Sequence, residues 1–217
     1  MLFDFARLST RERHKILIST VVPRPIAWVV TEDERSVLNL APFSFFNVFA
    51  EDPPLICLGI GIGERGTGDS KDTGVNIRRT GEFVVNLVSA DVAEAMVVTG
   101  INFHPEVNEL REAGLTTVPS SRVRPPRIAE SPVALECERY DIVEMPSGCL
   151  IVLGKVVAVH VRDDAVLDAA NCYIDTPKLN LIGRMHGHGW YTRMSDWFQL
   201  VPAGSISRKA RRPDDPA

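Results

Sequence analysis

The feature that most constrains the fold of this chain is a series of short apolar runs, bounded by turn-forming clusters of proline, glycine or acidic residues. Runs of this kind, rich in β-branched and aromatic residues, indicate strands. The predicted strands lie at residues 25–30, 43–49, 55–58, 82–87, 133–140 and 150–161. In the run at 133–140, apolar residues alternate with alanine and glutamate, which predicts a half-buried antiparallel strand.

Helices are predicted at two places. Residues 72–80 begin with the capping types Asp72 and Thr73 and end at Gly81, and residues 91–99 begin with an aspartate and end at a glycine. Because strands outnumber helices and rarely alternate with them, a doubly wound parallel sheet is disfavoured. The pattern predicts a mainly β fold with a few helices, built as an antiparallel β-barrel.

Length and charge exclude several other classes of protein. The chain has 217 residues and a net charge of −4, which gives no general attraction to nucleic acid or to an anionic membrane. A single domain over residues 1–203 is expected, followed by a mobile tail at 204–217 that lacks apolar residues to bury. No secretory signal or long apolar span is apparent, so a cytoplasmic location with reduced, structural cysteines is predicted.

The glycine-rich segment 59–73 matches two nucleotide-binding patterns only superficially. Its G-x-G-x-x-G is followed by Thr67 and more glycine rather than by an amphipathic helix, so the context of a dinucleotide fingerprint is missing. A P-loop would need lysine where Asp69 stands. Neither pattern therefore defines the segment.

The residues at the end of this segment suit a single phosphate group. Ser70 and Thr73 offer hydroxyl donors, Lys71 offers a positive charge, and Arg65 is within reach along the chain. The predicted helix beginning at Asp72 adds free backbone N–H groups and the positive end of its dipole. An ordinary capped loop remains the alternative at this point.

Two other segments can be interpreted in more than one way. Residues 39–44 (Asn-Leu-Ala-Pro-Phe-Ser) fit a bend whose polar groups bind the edge of a heteroaromatic ring, but they equally fit a turn before a core strand. His186 and His188 have a spacing that allows metal binding on a strand, but no third ligand is apparent, so we expect a flexible loop and no metal site. No catalytic triad is found, and no catalytic residue is assigned.

Nine short motifs follow one another along most of the chain, at residues 22–29, 39–44, 52–54, 71–76, 81–86, 125–127, 131–136, 153–156 and 183–184. In this order and spacing they resemble the flavin reductase-like family, whose fold is the FMN-binding split β-barrel, a Greek-key-like antiparallel barrel. The chain resembles the longer branch of that family, which begins with Pro-Arg-Pro-Ile-Ala-Trp.

The resemblance implies a homodimer that binds FMN non-covalently near the subunit interface. It also implies that the isoalloxazine ring lies along residues 39–44 and that the phosphate is held at residues 70–73. Carried over residue by residue, the implied cofactor-binding set, with Arg65 added from the phosphate argument above, is Asn39, Leu40, Ala41, Pro42, Phe43, Ser44, Arg65, Ser70, Lys71, Asp72, Thr73 and Arg184. Trp28 and the aromatic residues at 43–49 are left as either core or cofactor walls.

The function implied by the resemblance is an FMN-dependent oxidoreductase that takes hydride from NADH or NADPH and passes it to flavin or a flavin-linked acceptor. Because the flavin supplies the chemistry, no side-chain acid or base is required. Short members of the family carry an Asp-His pair linked to nicotinamide handling, and this chain has Gly148-Cys149 at that place. The alternative is therefore a non-enzymatic FMN-binding or electron-transfer flavoprotein without a nicotinamide site.

Overall fold

The fold is described by a computed structural model that covers residues 1–62, 71–101, 109–187 and 189–200. Its strands are β1 (Ala27–Glu32), β2 (Leu38–Phe43), β3 (Phe46–Glu51), β4 (Pro54–Ile60), β5 (Glu82–Leu87), β6 (Thr117–Val118), β7 (Arg127–Ile128), β8 (Val133–Glu144), β9 (Leu150–Val161), β10 (Val166–Asp168), β11 (Tyr173–Ile174), β12 (Ile182–Arg184) and β13 (Tyr191–Arg193). Its α-helices are α1 (Thr10–Thr20), α2 (Asp72–Thr80), α3 (Ala93–Val98) and α4 (Glu109–Glu112). Short 3₁₀ turns occur at Phe5–Arg7, Ala90–Val92, Asp163–Ala165 and Thr176–Leu179.

A seven-stranded antiparallel sheet forms the body of the molecule, in the order β2-β1-β5-β8-β9-β4-β3. The two strands at the ends of this order, β2 and β3, follow each other in the chain, so the sheet curls back towards its own beginning. The N–H of Gly59 at the end of β4 donates to the carbonyl oxygen of Phe45, between β2 and β3, at 2.7 Å. The prediction of a mainly β fold based on an antiparallel sheet is confirmed.

The sheet buries apolar side chains on both of its faces, which explains why β1 is apolar along nearly its whole length. On one face, Trp28 and Val30 pack with Leu40 and with residues of α3 and α4. On the other face, Ala27 and Val29 pack with residues of β4, β5 and β9 inside the curl of the sheet. Trp28 is fully buried and its indole N–H donates to the hydroxyl of Thr99, so it belongs to the core.

One predicted strand is wrong in its placement. The run at 43–49 divides into the end of β2 and most of β3, and the segment 39–44, which we considered as a bend, lies mostly within β2. Proline disfavours strands because it lacks an N–H, but β2 is an edge strand, where an outward-facing N–H is not needed for the ladder. Pro42 is therefore compatible with the strand.

The antiparallel strand predicted at 133–140 is confirmed as the first part of β8, but the predicted exposure of its polar face is wrong at Ala134 and Glu136, which are buried. The Glu136 carboxylate accepts the backbone N–H groups of Ser121 and Arg122 and bonds to the ring of His160. Burial alone would raise the pKa of Glu136, but these hydrogen bonds hold it below its ordinary value. The expected polar face of β8 is thus covered by a loop that pairs with this carboxylate.

The helix predicted at 72–80 is confirmed as α2, with Gly81 in the left-handed conformation at φ 76° just after its end. The helix predicted at 91–99 is a 3₁₀ turn followed by the shorter α3. Sequence reasoning missed α1, which begins with a capping box between Ser9 and Glu12 but buries none of its residues. The predicted mobile tail at 204–217 lies outside the described residues.

Candidate functional site

The candidate site forms where the edge strand β2 passes the beginning of α2. Side chains alternate between the two faces of a strand, so Asn39, Ala41 and Phe43 share one face of β2. On this face the amide Nδ2 of Asn39 donates to the hydroxyl of Thr73 at 2.9 Å. The Nζ of Lys71 lies 5.9 Å from the centroid of the Phe43 ring. Two segments that are far apart in sequence therefore place an amide, a hydroxyl, an ammonium group and an aromatic ring at one corner.

The N-terminus of α2 supplies the electrostatics of this corner. Lys71 is the N-cap residue, and its side chain makes no capping hydrogen bond to the first turn. The first turn of a helix presents unpaired N–H groups and a partial positive charge, and the Lys71 ammonium group adds a full charge. The backbone N–H of Lys71 donates to the carbonyl oxygen of Gly61 at 3.4 Å, which holds the cap against the end of β4. An anionic group suits this position.

The opposite face of β2 is covered by other helices. Leu40 is buried in the core, and its backbone N–H donates to the Glu109 carboxylate of α4 at 2.5 Å. Burial raises the pKa of Glu109 to about 7; the negative charge of Asp72 adds to the rise, and the hydrogen bond from Leu40 opposes it. Pro42 packs close to Gly100, where an added Cβ would lie 3.4 Å from its ring. The side of β2 that faces away from the candidate site is thus in contact with the Glu109 carboxyl group, whose pKa is about 7.

A second polar group lies at the end of the same segment and involves Ser44, Arg24 and Arg184. The buried guanidinium of Arg24 donates from Nε to the hydroxyl of Ser44 at 3.4 Å. The backbones of Arg24 and Arg184 exchange two hydrogen bonds, of 3.0 and 2.8 Å. The Arg184 guanidinium lies over the ring of Tyr191 at 4.6 Å. The segment 39–44 therefore connects two separate positively charged regions.

These contacts show which predicted site residues the fold brings together. Asn39 bonds directly to Thr73, and at the same corner the ammonium group of Lys71 lies 5.9 Å from the centroid of the Phe43 ring. Leu40, Ala41 and Pro42 contribute backbone and packing, Asp72 acts on this region through its charge, and Ser44 and Arg184 belong to the second group. Arg65 and Ser70 lie outside the described residues, so their predicted roles stay predictions.

Sequence reasoning did not single out two residues of this region, Arg24 and Glu109. Arg24 stands inside the Pro-Arg-Pro-Ile-Ala-Trp motif. The presence of a charged residue among apolar ones could have indicated that its side chain is buried. Glu109 carried no comparable indication, because its importance comes from its contact with Leu40, 69 residues away. A long-range contact of this kind cannot be obtained from local pattern.

Other features of the described residues do not form a competing site. His186 stacks on Trp190 with ring centroids 6.1 Å apart, His188 lies outside the described residues, and the described ranges hold no cluster of three or more metal-ligating side chains. No helix among them is long and apolar enough to cross a membrane.

One cavity of about 160 Å³ is apolar apart from Arg24 and includes no residue of 39–44 or 71–73. It is lined by Pro23, Arg24, Pro25, Ile26, Leu87, Val88, Leu181, Ile182, Gly183 and Met194.

Comparison with known protein families and sequences gives a consistent result. A family model described as "Flavin reductase like domain" matches residues 18–177. An uncharacterized protein of Deinococcus radiodurans is 41% identical over 202 residues, covering 91% of this chain and 88% of that protein. The protein YwrF of Bacillus subtilis, also uncharacterized, is 35% identical over 205 residues, covering 92% and 98%.

Solved structures with the same fold include proteins of stated activity. The 2-nitrobenzoate 2-nitroreductase NbaA of Pseudomonas fluorescens has a TM-score of 0.84 and 31% identity, covering 94% of this chain and 97% of its own. Component B of nitrilotriacetate monooxygenase from Bacillus cereus also has a TM-score of 0.84, with 29% identity and coverage of 92% and 98%. A split-barrel protein of Shewanella frigidimarina, at a TM-score of 0.77 and 24% identity, has the same fold over 94% of this chain and 100% of its own. The sheet described above is therefore a split barrel.

Proposed function

Because the chain belongs to the flavin reductase-like family, we propose that it is an FMN-dependent oxidoreductase that takes hydride from NADH or NADPH. The family and its neighbours of stated activity support a flavin-related oxidoreductase. FMN binding in particular is supported by one observation. Lys71 and the start of α2 lie beside the face of β2 that bears Asn39 and Phe43. That corner offers an anion position beside an aromatic and amide-bearing strand, which matches the two ends of FMN.

The residues of this corner fit the cofactor in their chemistry. A phosphate group needs backbone N–H donors and positive charge, and the N-terminus of α2 with the Lys71 ammonium group supplies both kinds of group at this corner. The side chain of Asn39 and the backbone of residues 40–44 would hold the isoalloxazine ring, with Phe43 as part of its surroundings. Asp72 and Thr73 would complete the phosphate side, together with Arg65 and Ser70.

Bound FMN supplies the hydride-transfer chemistry of such an enzyme. The protein would bind and orient FMN and the nicotinamide donor, and it would place charged groups around them. Thr73 illustrates this role: its hydroxyl is buried and accepts from Asn39, which locks the side chain of Asn39 against the helix. No proton transfer by a side chain is needed, and we assign no catalytic residue.

An anaerobic titration tests the proposal directly. The purified protein is loaded with FMN, and NADH and NADPH are added separately while the oxidised-flavin absorption band is followed. We expect one of them to bleach the band much faster than it bleaches free FMN at the same concentration. Failure to retain FMN, or bleaching no faster than that of free FMN with either donor, would contradict the proposed activity.

A second candidate is an FMN-binding or electron-transfer flavoprotein without a nicotinamide site. The observation that favours it is the turn between β8 and β9, where Gly148 has φ 86° and Cys149 is half-buried. The N–H of Gly148 and the carbonyl oxygen of Cys149 are both engaged with Met145, so this turn is a compact backbone structure without an ionisable imidazole. Retention of FMN without nicotinamide-driven bleaching would select this candidate.

We also propose a homodimer with FMN near the interface. Phe45, Val48 and Phe49 are 49%, 65% and 68% exposed on and beside the edge strand β3, close to the proposed cofactor segment. Exposed apolar groups of this size next to one another are typical of surfaces that bind a partner. Light scattering of the FMN-loaded protein should give twice the mass of the chain, and Phe49→Asp should lower the measured mass towards that of one chain.

A further inference from the structure

Arg24 carries a buried positive charge, and its hydrogen-bond partners among the described residues are neutral groups. Its guanidinium donates to the carbonyl oxygens of Ile18 and Val21 at 2.8 Å each, to that of Met185 at 3.0 Å, and to the hydroxyl of Ser44. The residue is only 6% exposed. These bonds fix the group in place, but none of them supplies a negative charge opposite the guanidinium.

A second guanidinium adds to this charge. Arg184 is half-buried, and its backbone forms the two-bond bridge with that of Arg24. Burial lowers the pKa of Arg24, and the nearby charge of Arg184 lowers it further. Among the described residues, neither guanidinium forms an ion pair with a carboxylate, although six other arginine or lysine side chains there do.

The guanidinium of Arg184 is held in a fixed position and is suited to bind an anion. Its Nη2 donates to the carbonyl oxygen of Gly187 at 3.0 Å, and its guanidinium plane is held over the ring of Tyr191. An arginine presents five N–H donors, so most of them have no partner among the described residues. Stacking on an aromatic ring fixes the guanidinium without using its in-plane N–H donors, which leaves it able to bind an oxyanion by two parallel hydrogen bonds.

We propose that Arg184, with Arg24 behind it, forms a subsite for an oxyanion group of the second substrate, either a carboxylate or a phosphate. Two partly buried like charges that no carboxylate of the described ranges neutralises are costly, and a bound anion would offset that cost. The subsite adjoins the proposed cofactor segment through Ser44, whereas the proposed phosphate position adjoins it through Asn39 and Phe43. This inference rests on the proposed function, since it assigns the subsite to the molecule that exchanges electrons with the flavin.

The subsite is tested by calorimetric titration of the FMN-loaded full chain with three non-reducing probes. Benzoate carries a carboxylate, NADP⁺ carries phosphates, and benzamide is the uncharged analogue of benzoate. We expect at least one of the two anions to bind and benzamide not to bind. Arg184→Gln should weaken anion binding about 10- to 100-fold, the loss expected for a charge-assisted hydrogen bond. Whether benzoate or NADP⁺ binds identifies the source of the oxyanion.

Arg193→Gln is the matched control, because Arg193 is an exposed arginine on the same β12–β13 hairpin. It should leave the affinity for the probes unchanged. The inference is overturned if the parent protein binds neither anion, if both variants lose affinity equally, or if Arg184→Gln loses FMN as strongly as it loses the probes. The last outcome would place Arg184 in the cofactor site itself.

Failure of the proposed function can be distinguished from failure of this inference. A chain that does not retain FMN contradicts the proposed function, and the same anion titrations are then made on the flavin-free protein. A chain that retains FMN but binds neither anion contradicts only the subsite.

Discussion

The carboxyl group of Glu109 gives the sharpest prediction about stability, because it contacts the backbone of β2 from a partly buried position. In the folded protein it accepts the N–H of Leu40, and burial, with the charge of Asp72, raises its pKa to about 7 from an ordinary value of 4.5. The folded state therefore holds this proton more tightly than the unfolded chain does. The resulting stabilisation is fully present below about pH 4.5 and is lost as the pH rises through about 7.

The size of the effect follows from the difference between the two pKa values. One pKa unit corresponds to about 1.4 kcal/mol, so a rise from 4.5 to about 7 would amount to roughly 3 kcal/mol at full burial. Because the side chain is only partly buried, screening by solvent reduces this to about 1–2 kcal/mol. Glu109→Gln is neutral at every pH and keeps an oxygen that accepts the Leu40 N–H, so it should not show this loss.

The assay is urea denaturation at pH 5 and pH 8.5, followed by intrinsic tryptophan fluorescence, to which the buried Trp28 contributes. From the lower to the higher pH, the free energy of unfolding of Glu109→Gln should rise by about 1–2 kcal/mol relative to the parent protein. With a typical slope near 2 kcal/mol/M, the urea midpoint should shift by about 0.5–1 M. Glu112→Gln, an exposed glutamate on the same helix, is the control and should show no such change. An equal difference between Glu109→Gln and the parent at both pH values would refute the reasoning.

Three further predictions test the core, the cofactor site and a buried polar pair. Gly154→Ala should lower the free energy of unfolding by about 1–3 kcal/mol in urea denaturation, because the added Cβ would lie 2.5 Å from the ring of the buried Phe83; an unchanged midpoint would show that the ring moves freely. Lys71→Ala should weaken FMN binding about 10- to 100-fold in a fluorescence titration, with the stability of the flavin-free protein unchanged, and unaltered affinity would place the phosphate elsewhere. Although burial raises it, the pKa of Glu136 is lowered overall by its hydrogen bonds, including that with His160, so the parent should lose stability as the pH falls below about 4.5. Thermal denaturation between pH 3.5 and 7 should show a smaller loss in Glu136→Gln than in the parent, because the variant keeps only the acid loss of the other carboxylates with a lowered pKa, such as Glu32 and Asp33.

Local sequence was a good guide where a segment's structure depends on its own residues. The apolar runs at β1, β4, β5, β8 and β9 were all recognised, because β-branched composition and flanking turns are local properties. The helix α2 was recognised with both of its ends for the same reason. The missed helix α1 was also locally encoded, through the capping box of Ser9 and Glu12, but its lack of an apolar stripe concealed it.

Local sequence failed where the environment of a residue decides its role. Residues 39–44 were expected to form a bend or a turn, but Pro42 lies within β2, whose position at the edge of the sheet removes the need for its N–H. Glu136 appeared to face solvent, but a loop and His160 cover it and satisfy its oxygens. In both cases the deciding partner is distant in the chain, so its presence could not be obtained from the pattern of neighbouring residues.

The sequence by itself determined the mainly β class, most of the sheet strands and the position of α2, and its ordered motifs indicated the family that the comparisons established. These properties follow from hydrophobic period, turn residues and helix ends, which act over a few residues. Only the tertiary structure decided which charges and polar groups meet: Asn39 with Thr73, Glu109 with the backbone of Leu40, and Arg24 with Arg184. Electrostatic effects depend on the distance between two groups in space and on their burial. Both are set only when the sheet has curled and the helices have packed against it.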